Sequence, residues 1–194
     1  MSSFVGMNTE KTPKQNKLQT LDLAYMAVGI VLITVCTWIS IPFTIPFTMQ
    51  TFAVFFVLVF LGGKRGTISI LIYILLGTVG IPVFTGFMGG IGKLLGVTGG
   101  YILGFIFTGL LYWLAERCFG RKLLVRILSL LAGLLVCYAF GTAWFTVVYA
   151  RDSGPIGLWT ALTICVIPFV LPDLAKLALA VFVADRMKKL LQRT

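Results

Sequence analysis

Six apolar runs, separated by short joints rich in polar residues, glycine or proline, organise the chain. They fall at about 23–39, 47–62, 66–81, 98–115, 123–150 and 159–184, and each is roughly long enough to cross a hydrocarbon core of about 30 Å as a helix. The pattern predicts an all-α integral membrane protein with six transmembrane helices. The first run has no small-residue cleavage site before the next helix and is read as a retained span. The second and third are short and bounded by Pro42, Pro46, Gly62, Gly63, Gly80 and Pro82. Interruptions of that kind are tolerated where backbone lines a cavity instead of lipid. No internal repeat is visible. The organisation expected is a polar segment at 1–20, a membrane domain at 21–190 with a glycine-rich loop at 80–98, and a tail at 191–194.

Composition agrees with the pattern: of 194 residues 59% are hydrophobic and 11% charged, far from the roughly 25% charged of soluble domains. The net charge of +10 in a soluble protein would raise the question of nucleic acid. Here the basic residues cluster between apolar runs and act as orientation signals, so no nucleic-acid partner is expected. Lys11, Lys14 and Lys17, the joints after the second and fourth runs, and the residues from Arg186 to Arg193 fall on one side, against Lys93 and Arg151 on the other. The positive-inside rule then places both termini in the cytoplasm, in a multi-pass protein of the prokaryotic cell membrane. Histidine is absent, which removes the commonest general base and transition-metal ligand; no metal site, cofactor or enzymatic activity is expected. Cys36, Cys118, Cys137 and Cys165 form no CxxC pair and read as small buried thiols.

The stretch 86–105, GFMGGIGKLLGVTGGYILGF, holds eight glycines in twenty positions. It is not a P-loop: Phe87 stands where the first glycine of that motif belongs, and Leu94 replaces its metal-binding hydroxyl. Gly90-x-Gly92 opens like a dinucleotide fingerprint, but Leu95 takes the third glycine's place and no βαβ unit surrounds it. Gly96, Gly100 and Gly104, four apart, share one face of the fourth helix. Gly86, Gly89, Gly90 and Gly92 precede that helix and suit an outward loop folded inward, with close approach to a ligand.

The sixth run places Asp173 and Lys176 at membrane depth. At a spacing of i, i+3 they share a helix face, and the cost of an unpaired charge in lipid turns them toward the protein interior. They serve either as a structural ion pair or as a ligand site. Pro168 and Pro172 favour the second use, because each removes a backbone donor just before the pair. Thr44, Thr48, Gln50 and Thr51 form a second polar set at the start of the second run, where structural roles and ligand contact are both open; Gln50 carries donor and acceptor together. Phe84, Phe87, Tyr101, Trp144 and Tyr149 lie toward outer ends of spans, as an interface belt would.

The segments VGIPVFTGFMGGIGKLLGVTGGYILGF (79–105), PFTMQTFAV (46–54) and PDLAK (172–176), in this order and topology, resemble the biotin-specific substrate-binding subunits of energy-coupling-factor (ECF) transporters, the BioY family. The likeness covers nearly all of residues 20–190. It departs at Val97, where the family usually has proline, and at Leu171-Pro172-Asp173 in place of Pro-Gly-Asp. The resemblance implies a six-helix S-component that binds biotin near the outer surface. It would pair with a transmembrane coupling protein and two ABC-type ATPases, in keeping with the missing P-loop.

Biotin's ureido ring presents two N–H donors and a carbonyl acceptor on an apolar bicycle, so a buried site needs an acceptor, a donor and apolar walls. On that resemblance Asp173 accepts from a ureido N–H, while Lys176 neutralises the acid and donates to the ligand, at the ureido oxygen or at another of its polar groups. Gln50 adds polar contact, Tyr101 or Phe84 covers the ring, and Gly89 and Gly90 admit main-chain contact in a close-fitting lid. Ala24 and Ala27 of the first span are the expected partner face, although Val28 interrupts the small-residue spacing. Two rivals remain: an S-component for another small vitamin, and an intramembrane enzyme using Asp173 and Lys176 as acid and base.

Overall fold

The computed structural model describes residues 20–191; Lys11, Lys14, Lys17 and Arg193, with most of the expected N-terminal segment and tail, lie outside it. Helix α1 (Thr20–Trp38) leads through a small hairpin, β1 (Ser40–Ile41) and β2 (Phe47–Thr48), into α2 (Gln50–Leu61) and α3 (Gly63–Val79). The glycine-rich segment contains a single short helix, α4 (Ile91–Leu95), and is followed by α5 (Gly99–Phe119), α6 (Leu123–Ser153), α7 (Leu158–Cys165) and α8 (Ile167–Leu191).

By length and apolar composition, four helical stretches among the described residues can cross a membrane: α1, α5, α6 and the α7–α8 stretch Leu158–Leu191. At 1.5 Å per residue α2 spans about 18 Å and α3 about 26 Å, short of a core of about 30 Å. Helix α2 nonetheless buries nearly every side chain from Gln50 to Val59, because it lies among α1, α3 and α8. An element apolar on all sides belongs in such an interior position.

Three local outcomes differ from what the sequence pattern predicts. Phe47 and Thr48, counted in the second run, pair with Ile41 and Ser40 as a hairpin, so that helix begins only at Gln50. Pro42 and Pro46 flank the turn and cannot extend a helical ladder there. The sixth run breaks at Val166, whose backbone leaves the helical region (φ −123°, ψ −57°). Pro168 cannot donate to the carbonyl of Ile164, so the ladder ends and restarts as α8. Finally, α5 starts at Gly99, which leaves Gly96 outside the helix as the cap of α4. Gly100 and Gly104 do share a face, turned to Trp144 and Cys137 of α6, where a Cβ on Gly100 would lie 2.3 Å from the Trp144 Cβ.

Polar contacts concentrate at two ends of the bundle. At one end Arg65 pairs with Asp22 at 2.9 Å, and Arg126 meets Asp185 through two hydrogen bonds of 2.6 and 3.1 Å. Glu116 accepts there from Arg121 and from the Gly63 amide, and Lys188 donates to the Val59 carbonyl at 2.6 Å. At the other end Trp38 donates to the Pro82 carbonyl and Trp144 to that of Gly96, both at 3.0 Å, fastening the glycine-rich segment to α1 and α6. Cys36, Cys137 and Cys165 are buried as expected; Cys118, near the charged end of α5, is exposed instead. On α1, Met26, Gly29 and Ile33 turn inward, while Ala24, Ala27, Val28 and Val31 form an exposed outer face.

Candidate functional site

Helix α8 buries Asp173, Lys176, Leu177, Ala180 and Ala184 along a single stripe. Their i, i+3, i+4 spacing makes that stripe, so the two charged residues can only enter the core together. They do so as a pair: Lys176 Nζ lies 2.9 Å from Asp173 Oδ1, with side chains 7% and 5% exposed. Charges this far from water are stable only when partnered and hydrogen-bonded. Tyr138 of α6 donates to Asp173 Oδ2 at 2.6 Å. Lys176 donates to the Thr48 carbonyl at 2.7 Å and stands 3.9 Å above the centre of the Phe47 ring. That carbonyl is within reach because β2 carries the chain across α8 before α2 begins. With three N–H donors on an ammonium and two bonds accounted for, Lys176 retains one donor.

The pair lines a narrow cavity of about 70 Å³ at the loop end of the bundle, with Gln50, Thr51, Tyr101 and Tyr138 as further polar walls. Phe105, Leu134 and Phe169 supply apolar ones. Gln50 donates through Nε2 to the Tyr73 hydroxyl at 3.1 Å. Tyr73 has one hydroxyl proton and also faces the Val83 carbonyl and Thr37 Oγ1. The amide must therefore be the donor in its contact, which leaves Gln50 Oε1 as an acceptor on the cavity wall. Tyr101 shares a 2.9 Å hydrogen bond with Thr142, fixing its ring over Gly141 of α6. The site thus offers an ammonium donor, a carboxylate acceptor, an amide oxygen and phenols within apolar walls. That is the donor set for a small, largely apolar ligand with a compact polar head.

Of the residues singled out from sequence, Asp173, Lys176, Gln50 and Tyr101 come together on this cavity. Phe84, Gly89 and Gly90 do not. Phe84 is fully buried, edge-on to Tyr73 at 5.7 Å between ring centres, and its ring lies where a side chain on Gly77 would be. A Cβ on Gly89 would lie 2.5 Å from the Gly80 and Ile81 carbonyl oxygens. Gly90 adopts φ +94° and donates to the Gly77 carbonyl at 2.7 Å. These three dock the loop onto the end of α3, and it is Thr85 and Thr98 of the loop that reach the cavity. Ala24 and Ala27 lie apart, on the outer face of α1. Sequence reading passed over Tyr138, yet the signal was there: a phenol in mid-span, far from either interface, needs a buried partner.

Comparison with known proteins identifies the family. A family model described as BioY family matches residues 9–193. A probable biotin transporter BioY of Pyrococcus horikoshii is 39% identical over 172 residues, covering 88% of this chain and 98% of the relative. A biotin transporter BioY of Thermotoga maritima is 41% identical over 161 residues, covering 82% and 90%. A crystal structure described as the S-component for biotin from an ECF-type ABC transporter superposes with a TM-score of 0.77 at 26% identity, covering 91% of this chain and 95% of that one. The chain therefore belongs to the BioY family, as an integral protein of the plasma membrane and a transport component, not an enzyme.

Proposed function

We propose that this chain is the high-affinity biotin-binding specificity subunit of an ECF-type uptake transporter. It delivers biotin across the membrane when joined to a transmembrane coupling protein and two ABC-type ATPases. The observation that carries the reading is the Asp173–Lys176 pair, buried yet on the wall of an otherwise largely apolar cavity. A ureido head matches it: Asp173 accepts from an N–H, the remaining Lys176 donor meets the ureido oxygen, and Gln50 Oε1 accepts from the second N–H. Tyr101 and Phe169 flank the bicycle. Two relatives carry the name biotin transporter, and the similar crystal structure is of an S-component for biotin from an ECF-type ABC transporter, which supports this reading.

In this reading α2 and α3 count as spans beside the four longer stretches, giving six. The charged end, with Arg65, Arg126 and Lys188, faces the cytoplasm together with both termini. The exposed α1 face bearing Ala24 and Ala27 meets the coupling protein. Because no P-loop is present, binding alone equilibrates the vitamin, and accumulation draws on the partners.

Calorimetry on the purified chain tests the ligand. Biotin binds, unlabelled thiamine and riboflavin fail to compete, and Asp173→Asn weakens binding more than Asp152→Asn. Equal affinity in a well-folded Asp173→Asn variant would remove the acid from the site. Proteoliposomes test the mechanism: uptake above equilibrium by the chain alone, driven by a proton or sodium gradient, would make it a secondary transporter.

A further inference from the structure

A second groove lies between α6 and α8, running from Leu177, next to Lys176 of the cavity wall, to the charged end. Its floor is apolar, made by Leu123 and Ile127 of α6 with Leu177, Ala178, Val181 and Phe182 of α8, and it has a volume of about 630 Å³. Its far end is charged, with Asp185, Arg186 and Lys189. The carboxylate of Asp185 is already committed to Arg126 through two hydrogen bonds. Neither Arg186 nor Lys189 has a carboxylate partner among the described residues; the Arg186 guanidinium lies 5.5 Å from the centre of the Phe182 ring. From Leu177 to Lys189 the groove follows α8 for about 18 Å. An apolar trough ending in two uncompensated cations at the level where a helix leaves the bilayer has the charge and polarity of a phospholipid with an anionic head. Basic sites between transmembrane helices recognise such headgroups in this way.

We propose that this groove is a binding site for one anionic phospholipid. An acyl chain lies along Ile127, Ala178, Val181 and Phe182, and the phosphate sits between Arg186 and Lys189. Phe182 contributes twice, as chain contact and as the surface that steadies the Arg186 guanidinium. Lipid in the groove fills a gap between two helices that touch little elsewhere, apart from the Arg126–Asp185 and Tyr138–Asp173 contacts.

The test uses the full chain in vesicles of equal parts phosphatidylglycerol and phosphatidylcholine, extracted in mild detergent, with retained lipid counted by mass spectrometry. Phosphatidylglycerol is enriched on the wild-type chain. Arg186→Gln combined with Lys189→Gln lowers that enrichment roughly tenfold or more. Arg186→Lys with Lys189→Arg preserves it. Ala178→Phe, which fills the exposed trough and leaves the charge unchanged, abolishes it, with Ala178→Leu as the milder form should the larger ring disturb folding. Enrichment that survives groove filling would reduce the effect to diffuse attraction between basic residues and an anionic surface, and overturn the proposal. So would absence of enrichment on the wild-type chain, enrichment indifferent to both basic residues, or cross-linking of an Ala178→Cys variant to a second copy or to the coupling protein in place of retained lipid.

Discussion

The Tyr138 hydroxyl donates to Asp173 Oδ2 at 2.6 Å across the interface between α6 and α8, while Lys176 occupies Oδ1 at 2.9 Å. Both carboxylate oxygens are thereby held by different elements, and the acid is oriented before any ligand arrives. Lys176 extends the same chain of contacts to the Thr48 carbonyl ahead of α2. The cavity wall is one connected polar unit spanning three parts of the sequence, and disturbing any member leaves another without a partner.

The ion pair gives the first expected outcome. Lys176→Met alone leaves a buried carboxylate without its counter-charge and lowers stability by about 3–5 kcal/mol. The double variant Asp173→Leu/Lys176→Met recovers much of that loss, because neither charge is then buried, while biotin binding stays abolished. Thermal melts in detergent beside calorimetry separate the two effects. A double variant no more stable than Lys176→Met would mean that the pair contributes through packing.

Gln50→Leu removes the donor to Tyr73 and the cavity-facing acceptor at nearly constant size. A ligand hydrogen bond of ordinary strength contributes about 0.5–1.5 kcal/mol, so biotin affinity falls by roughly two- to thirteenfold, with a modest loss of stability. Unchanged affinity in titration calorimetry would confine Gln50 to the Tyr73–Thr37 network.

Gly89 and Gly90 are adjacent but unequal. Gly89→Ala drives a methyl into two carbonyl oxygens at 2.5 Å, whereas Gly90→Ala meets open space and carries only the strain of a positive-φ extended backbone (φ +94°, ψ +159°), about 1–3 kcal/mol. The first change loosens the loop more, seen as a larger drop in melting temperature and faster biotin release in stopped flow. The reverse order would show that the loop is not anchored on α3 as the contacts indicate.

At the opposite end, Arg126→Lys keeps the charge but loses the two-pronged contact to Asp185, since an ammonium cannot match the fork of a guanidinium. Stability falls by roughly 1 kcal/mol or more, with biotin affinity unchanged because the cavity lies elsewhere. A matching loss of affinity would reveal coupling between the two ends.

The sequence by itself determined the membrane character, the helical class and the central charged pair. Hydrophobic runs of sufficient length have few stable forms in lipid, and two charges at i, i+3 within such a run must face inward together. It also raised ligand contact for Gln50, whose amide interrupts an apolar run, whereas Tyr101 read by position as part of an interface belt and was drawn to the site only by the family resemblance. Tertiary structure decided the rest. Whether Phe84 caps a ligand or plugs the gap beside Gly77 depends on where α3 ends relative to the loop, a distance that no local pattern encodes. The partnership of Tyr138 with Asp173 requires α6 to pack against α8 in one register, and the reach of Lys176 to Thr48 requires two prolines to turn a hydrophobic run into a hairpin. Periodicity reports which face of an element is buried; which residue meets it there is settled only when the helices pack.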